Sequence, residues 1–524
     1  MSFLTRFREG HAREAALAAI CAILFLTFLD NTIVSVALAG IQSGLSVSVT
    51  GLQWIVDGYM LAFAALMLTG GTLGDLLGRK KVMLTGVGIF CAGSVLAAVA
   101  TNPSMLIAGR IVMGVGAAAS EPGTLSLIRH IYPERQERAV ALGVWTAVSG
   151  LALALGPVIG GVLIGGNSVQ PRWTWIFWFG AIFAAVAFAV AAVTLTESQD
   201  PVGRKLDVPG LATGASAIMA ATFAVIEGEN RGYRTWWIAL LFAAAAVLLA
   251  AFVLVEQRVP DPVLKLRFLR EPTFTAANLV AFAANLSIFS VFFFTALYLQ
   301  LISDFSGFQI ALAFASLAFA MIVSGPVAGQ WTARVGPRVP MVIGCALSGL
   351  GLLLVDWKLT ADTDIAALAW TLAIAGFGFG IALVTVTAAV LTLVPPEESG
   401  MAASTVNTSR ELGGVFGVAV LGSVVNAQLT GGLTQKLIAL HIPATFRQIV
   451  IQFVTTGGNI STAESNPAAR GHEKLVAKVL NAAAGSAGHG IHLSLEIGAA
   501  IVLLAAAVAL FAVRRHSADF ETAL

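Results

Sequence analysis

Three ionisable residues stand inside stretches of sequence that carry almost no other charge: Asp30, Arg110 and Glu121. A charged side chain surrounded by hydrocarbon is costly unless it is paired or reaches water, so each marks a candidate functional position. Asp30 lies about 15 residues into the first apolar run, roughly 22 Å along a helix rising 1.5 Å per residue. Arg110 lies about 6 residues into a run entered from the opposite side, on the order of 9 Å from that face. Across a hydrocarbon layer about 30 Å thick these depths nearly coincide, so the spacing predicts an Asp30–Arg110 ion pair, structural or coupled to proton movement. Glu121 follows Arg110 by three helical turns plus roughly 20°, so both project from one face of one helix. With Pro122 loosening the backbone beside it, Glu121 reads as a second proton or cation site, or as a carboxylate near a helix end. Arg410 and Glu411 are neighbours and point about 100° apart on a helix; Arg410, with Asn407 a turn earlier, is the better cavity candidate. Trp54 and Tyr59 join them as aromatic cavity candidates, as do Trp145, Phe292, Phe293 and Tyr298, since such rings stack lipophilic or cationic ligands. Asp57 and Glu227 fall near the ends of their runs, where solvent exposure is the simpler account.

Long helices must hold these residues. With 57% hydrophobic and 11% charged side chains in 524 residues, the chain has too little polar surface to cover a water-soluble globule, and the bilayer must be its main solvent. Fourteen apolar stretches, from about 15–38 to about 490–513, are long enough to cross it. They are far longer than barrel strands, which leaves helices as the assignment. Arg6, Arg8 and Arg13 precede a first run without a small-residue cleavage site, so it reads as a spanning helix and not a removable signal. Arg79, Lys80, Lys81, Arg334 and Arg338 fall in loops on the N-terminal side, whereas the short loops opposite hold Arg172, Arg231, Arg234 and Lys358. The positive-inside rule then places both termini in the cytoplasm. The stretch 428–489 is polar, with turn signals at Gly431-Gly432 and Gly457-Gly458. It reads as a long outer loop, a tether or a cap, whose apolar stretch 449–454 packs on the membrane surface.

Between two of the runs, residues 71–81 read Gly-Thr-Leu-Gly-Asp-Leu-Leu-Gly-Arg-Lys-Lys. A weaker copy follows at 329–338, where Gly329 and Gly336 keep the spacing of Gly71 and Gly78 while Ala333 replaces Asp75 and Pro337 replaces Arg79. Duplication of this kind marks a two-halved transporter. The expected organisation is a cytoplasmic N-terminus 1–14, a six-helix bundle 15–195, two inserted helices with linkers 196–273, a second six-helix bundle 274–513 including the outer loop, and a cytoplasmic tail 514–524. Within one run of the first half, Gly143, Gly156, Gly160 and Gly161 permit close helix approach, and Pro157 removes a backbone hydrogen bond and can kink the helix.

Five patches taken together resemble the major facilitator superfamily, and specifically its fourteen-helix drug:proton antiporter family. Residues 29–38, Leu-Asp-Asn-Thr-Ile-Val-Ser-Val-Ala-Leu, resemble the first-helix motif with its titratable aspartate, here Asp30. Residues 71–81 match the inter-helix signature, with Leu76 where a basic residue is usual. Leu106, Ile107, Ala108, Gly109 and Arg110, with Gly114 and Gly116, resemble the buried-arginine motif; Gly143, Gly156, Pro157, Gly160 and Gly161 resemble the antiporter motif; Asn407, Arg410, Gly413, Gly414 and Gly417 resemble a pattern of the second half. The resemblance implies an all-α major facilitator fold of two six-helix bundles with two inserted helices between them, working by alternating access. It implies export of hydrophobic or cationic drugs across a bacterial cytoplasmic membrane in exchange for protons, with Asp30, Arg110 and Glu121 in proton coupling and Gly71, Asp75, Gly78 and Arg79 stabilising the outward-facing state. An exporter of a lipid or endogenous metabolite and a nutrient:proton symporter are the alternatives; the antiporter pattern argues against import. The expected partners are a lipophilic small molecule, protons and membrane lipids, with a monomer as the functional unit.

No Gly-x-x-x-x-Gly-Lys-Ser/Thr phosphate cradle occurs in the sequence, which disfavours ATP as the energy source. Nothing resembles a catalytic constellation, a metal site or a cofactor site, so the chain does not read as an enzyme. A net charge of +2 gives no sign of a nucleic-acid partner. Cys21, Cys91 and Cys345 all lie in apolar runs and read as buried thiols without a disulfide framework.

Overall fold

The computed structural model describes residues 3–164, 173–198, 207–439 and 473–514, apart from scattered single positions in the loops. Every regular element in these residues is helical. Fourteen long helices follow one another: α1 (Phe3–Ile33), α2 (Val49–Leu77), α3 (Arg79–Ala98), α4 (Pro103–Ile131), α5 (Arg135–Ile164), α6 (Thr174–Thr194), α7 (Val208–Arg231), α8 (Trp236–Glu256), α9 (Pro272–Ser290), α10 (Gly307–Val335), α11 (Arg338–Lys358), α12 (Ile365–Leu393), α13 (Ser399–Ala439) and α14 (Glu473–Ala512). A π-helical turn, Val291–Thr295, carries α9 on into Ala296–Leu301. Thirteen of the spans are long and apolar enough to cross a membrane as they stand, and α5 becomes the fourteenth when its two parts, bent by 42° at 154–157, are taken as one. The bend coincides with Gly156 and Pro157, where an N–H is missing from the helical ladder.

Capping residues set several helix starts. Asn102, Asp207 and Asp364 accept from the backbone N–H three residues on, at 2.9, 2.8 and 3.2 Å, and so cap α4, α7 and α12. The start of α1 and the end of α14 lie at one end of the bundle. Arg13 is 3.5 Å from Glu137 at the start of α5, and Arg514 is 3.4 Å from Glu271 just before α9.

Glycine brings helices close in both halves. A Cβ on Gly86 of α3 would lie 2.6 Å from the Gly116 carbonyl of α4, and one on Gly344 of α11 would lie 2.7 Å from the Ala382 nitrogen of α12. Gly93 and Gly351 make the same two crossings a little further along. Both pairs stand at the same spacing from Gly78 and Gly336, so the internal repeat reaches well beyond the loop motif. Small residues at such crossings let backbones approach where no water drives helices together. α7 and α8 pack on each other, and α7 also lies against α2 and α13. α8 exposes Trp236, Leu240, Val247 and Leu249, a face suited to lipid.

The stretch 428–489 differs from the expected loop. α13 continues to Ala439 and α14 begins at Glu473, so each is about 60 Å long, roughly twice the hydrocarbon thickness. Gly431-Gly432 is not a turn: a Cβ on Gly432 would lie 2.8 Å from the Ser486 hydroxyl of α14, and Leu433 and Leu437 pack with Ala482 and Ala483. Tertiary packing between the two helices overrides the local turn preference. The expected surface-packed stretch 449–454 and the turn at Gly457-Gly458 lie outside the described residues.

Candidate functional site: buried charges between the halves

Arg110 of α4 is 1% exposed and tied to two other helices. One guanidinium nitrogen donates to the Asp30 carboxylate of α1, and Nε donates to the Ile55 carbonyl of α2 at 2.8 Å. The guanidinium carbon lies 4.5 Å from the Tyr59 ring centroid, and the Tyr59 hydroxyl donates to the Thr27 carbonyl at 3.3 Å. Tyr59 is fully buried and closes over the ion pair. Removing one partner of such a pair leaves an uncompensated buried charge and costs about 3–5 kcal/mol.

Glu121 is also buried, and it is not near a helix end: α4 runs through Pro122 and stops at Ile131. That corrects the helix-end reading. Its charged neighbours are Arg410 and Glu411 of α13, with Thr27 of α1 beside it. Arg410 is 3% exposed; its guanidinium carbon lies 5.0 Å from the Trp145 ring of α5 and 5.6 Å from the Phe28 ring of α1. The Asn407 side-chain oxygen is 3.5 Å from an Arg410 nitrogen. Trp145 is held in place by donating from its indole nitrogen to the Thr124 hydroxyl at 3.1 Å, which in turn donates to the Glu121 carbonyl at 2.6 Å. Among the described residues, Oε2 of Glu121, Nε of Arg410 and Nδ2 of Asn407 are buried without a hydrogen-bond partner. Glu411 is buried as well. The preference for Arg410 over its neighbour took one residue of a pair that enters the cluster together.

Polar contacts between the two halves of the chain gather at the chain-end side of the bundle. Asp75 of α2 accepts from the Met401 N–H of α13 at 3.0 Å, a donor in that helix's first turn that the helix itself leaves unused. Arg129 of α4 donates to the Val394 carbonyl beyond α12 at 2.7 Å. Asp75 is paired with Arg79 at 2.8 Å, and Arg79 donates to the Ser198 hydroxyl at 3.1 Å. Lys265, on the linker after α8, is paired with Glu398 just before α13. The sequence reading missed this last contact, because two isolated surface-type residues so far apart carry no pairing signal.

The antiporter-motif glycines divide. A Cβ on Gly143 would lie 2.6 Å from the Gly325 carbonyl carbon of α10, so this glycine makes a crossing between halves. A Cβ on Gly156 would collide with the Thr32 hydroxyl of α1, which donates to the Leu153 carbonyl at 3.0 Å. Gly71 and Gly160 are buried within their helices. Gly161 has nothing within 4 Å of its added Cβ, so it makes no close approach. Trp54 stands 5.5 Å, ring to ring, from Phe223 and so faces α7. Phe293 is half exposed. The expected exposure of Glu227 is also wrong: it is 2% exposed on α7 and interacts electrostatically with half-buried Asp57 of α2, because α7 covers that face of α2.

Fourteen long apolar helices, with buried charges where α4 meets α13, mark a multi-pass membrane protein of the transporter kind. Residues 20–418 match the Major Facilitator Superfamily, and the chain belongs to that superfamily, a family of transporters and not of enzymes. The recognition made from the five sequence patches is thereby borne out. The chain is 30% identical over 438 residues to the multidrug resistance protein Stp of Mycobacterium tuberculosis, covering 83% of this chain and 80% of Stp. It is 33% identical over 401 residues to the methylenomycin A resistance protein of Streptomyces coelicolor, covering 76% of this chain and 83% of that protein. The fold is similar to that of the human organic anion transporter MFSD10, with a TM-score of 0.60 at 15% identity, covering 95% of this chain and 99% of the other.

Proposed function

We propose that this protein exports hydrophobic or cationic drugs across the cytoplasmic membrane by alternating access in exchange for protons, as a monomer with both termini in the cytoplasm. Relatives named for multidrug and methylenomycin A resistance support the export reading. The observation that carries the coupling is the burial of Asp30 against Arg110. Protonating Asp30 removes the charge that holds Arg110, while Arg110 keeps the Ile55 carbonyl and the Tyr59 ring. α1 is then released from α4, and α1 also carries Thr32 against Gly156 and Phe28 against Arg410. One proton thus reaches both the α5 bend and the contact between halves. Glu121 serves as a second proton or cation site, and residues 71–81 hold the inner side closed while Gly143, Gly156 and Pro157 allow two packings of α5. The division into bundles 15–195 and 274–513, with 196–273 inserted, belongs to the same proposal.

The test uses everted membrane vesicles and a fluorescent lipophilic cation. Dissipating the proton gradient at constant ATP should stop uptake into the vesicles. Asp30→Asn should abolish gradient-driven uptake, Asp30→Glu should keep part of it, and Glu121→Gln should reduce transport of cations more than of neutral compounds. Uphill transport by Asp30→Asn at near wild-type rate would reject Asp30 as the carrier.

A further inference from the structure

Arg410 is held in an unusual way for a buried arginine. Among the described residues it has no ion-pair partner within 4 Å; its guanidinium instead stands over two aromatic rings, Trp145 and Phe28. Glu121 is near enough to interact with it electrostatically, yet a buried oxygen of Glu121 and the buried Nε of Arg410 both go without a hydrogen bond. A buried carboxyl group and a buried guanidinium that served only to hold the fold would close on each other, because leaving the polar atoms of either unsatisfied is costly.

The two sides of this contact belong to different halves. Phe28, Trp145 and Glu121 come from α1, α5 and α4, and Arg410 comes from α13. Trp145 of α5 is fixed by its bond to Thr124 of α4, and Thr124 is fixed to the Glu121 carbonyl one turn earlier, so two walls of the cradle are linked across α4 and α5 without Arg410. Glu411, next to Arg410, adds a second carboxylate close to Glu121. Separation of the halves withdraws Arg410 and leaves two aromatic faces beside a carboxylate with an unused oxygen. That arrangement recognises an organic cation, with rings for its face and a carboxylate for its charge.

We propose that Phe28, Trp145 and Glu121 form the binding site for the charged head of a cationic substrate, and that Arg410 occupies this site in the substrate-free protein as a tethered competitor. The proposal rests on the export reading for its substrate class and adds where the cation sits and what it displaces. A substrate must replace Arg410, and its release lets Arg410 return, so the empty site is never left as a bare buried carboxylate.

The experiment measures binding of ethidium, a planar organic cation, and of N-phenyl-1-naphthylamine, a neutral lipophilic probe, to the purified full-length protein in nanodiscs without any gradient. Arg410→Ala should tighten ethidium binding by on the order of tenfold, the scale of a desolvated cation–aromatic contact. Arg410→Met, which keeps the volume, should do the same. Glu121→Gln and Trp145→Leu should each weaken ethidium by about fivefold or more, Trp145→Phe should restore most of the loss, and the neutral probe should change by less than about twofold throughout. Loss of both probes together in Arg410→Ala and Arg410→Met, or ethidium binding indifferent to Glu121→Gln and Trp145→Leu, overturns the proposal. Because no gradient is present, failure of proton-driven export in vesicles leaves this result standing, and failure here leaves export untouched.

Discussion

Residues 71–81 and their copy at 329–338 share a backbone and differ in chemistry. In both, a glycine in the left-handed region breaks one helix from the next, Gly78 at φ 108° and Gly336 at φ 82°. In both, the glycine N–H donates back four residues, to Gly74 at 3.1 Å and to Thr332 at 3.0 Å. The first copy then adds Asp75 and Arg79, which reach Ser198 and, across the halves, Met401. The second has Ala333 and Pro337 there, and Pro337 brings no side-chain cap to α11. The turn is therefore a property of glycine that duplication preserved, whereas the contact between halves, proposed above as a lock, is a charged feature present on one copy alone. Both copies lie at the same end of the bundle, so the charged copy adds there a contact between halves that the bare copy does not match.

The largest expected effect comes from breaking that asymmetry at Asp75. A hydrogen bond from a backbone N–H to a charged acceptor contributes about 1.5–3 kcal/mol, so Asp75→Ala should move the balance between closed and open forms of this end by roughly 10–100-fold. Spin labels at exposed Gln136 and Thr392, on opposite halves at the same end, read the change as a longer distance population. An unchanged distance distribution would mean that Arg129 and the close helix packing hold the end without Asp75.

A sharper comparison pairs Gly78→Ala with Gly336→Ala. Each forces a side chain into the left-handed region, at about 1–2 kcal/mol, and should lower thermal stability by a similar step. Gly78→Ala should cost more, because its Cβ would lie 2.8 Å from the Glu197 carboxylate. It should also loosen the end read by the Gln136 and Thr392 labels, whereas Gly336→Ala should not. Equal loosening by both would show that the copies act alike and that the charges on the first are incidental.

The difference between the copies explains what the sequence could and could not disclose. Spans such as Ile365–Leu393, a run of apolar residues after an aspartate cap, were legible because length and apolarity alone decide them in a bilayer. The meeting of Asp30 with Arg110 was legible because depth along two helices is simple geometry. Of the site around Arg410 the sequence disclosed Glu121, Trp145, Asn407 and Arg410 but not Phe28 or the arrangement, since which ring faces which charge depends on how α1, α4, α5 and α13 cross. The pairing of α13 with α14 through Gly432 and Ser486 was hidden, because locally the Gly-Gly pair favours a turn and only the neighbouring helix reverses that preference. Glu227 was misjudged for the same reason: its burial is supplied by another helix.

The smallest expected effect belongs to Glu197, which completes the first copy from outside it. Gly78 stands at the start of α3 and brings no side chain to cap it. Glu197, just beyond α6, fills that role by accepting from the Lys80 and Lys81 N–H groups at 3.0 and 3.2 Å. Because Glu197 is exposed, its charge is screened by salt, and Glu197→Gln keeps an oxygen that can still accept. The substitution should shift the closed population by about twofold or less at low salt, and the shift should vanish near 1 M salt, where the screening length is about 3 Å. Asp75 is buried, so the effect of Asp75→Ala on the same labels should survive that salt. If salt erased both effects alike, the lock would be a loose surface attraction, and the contrast between the charged copy and the bare one would lie elsewhere than in the bond from Met401 to Asp75.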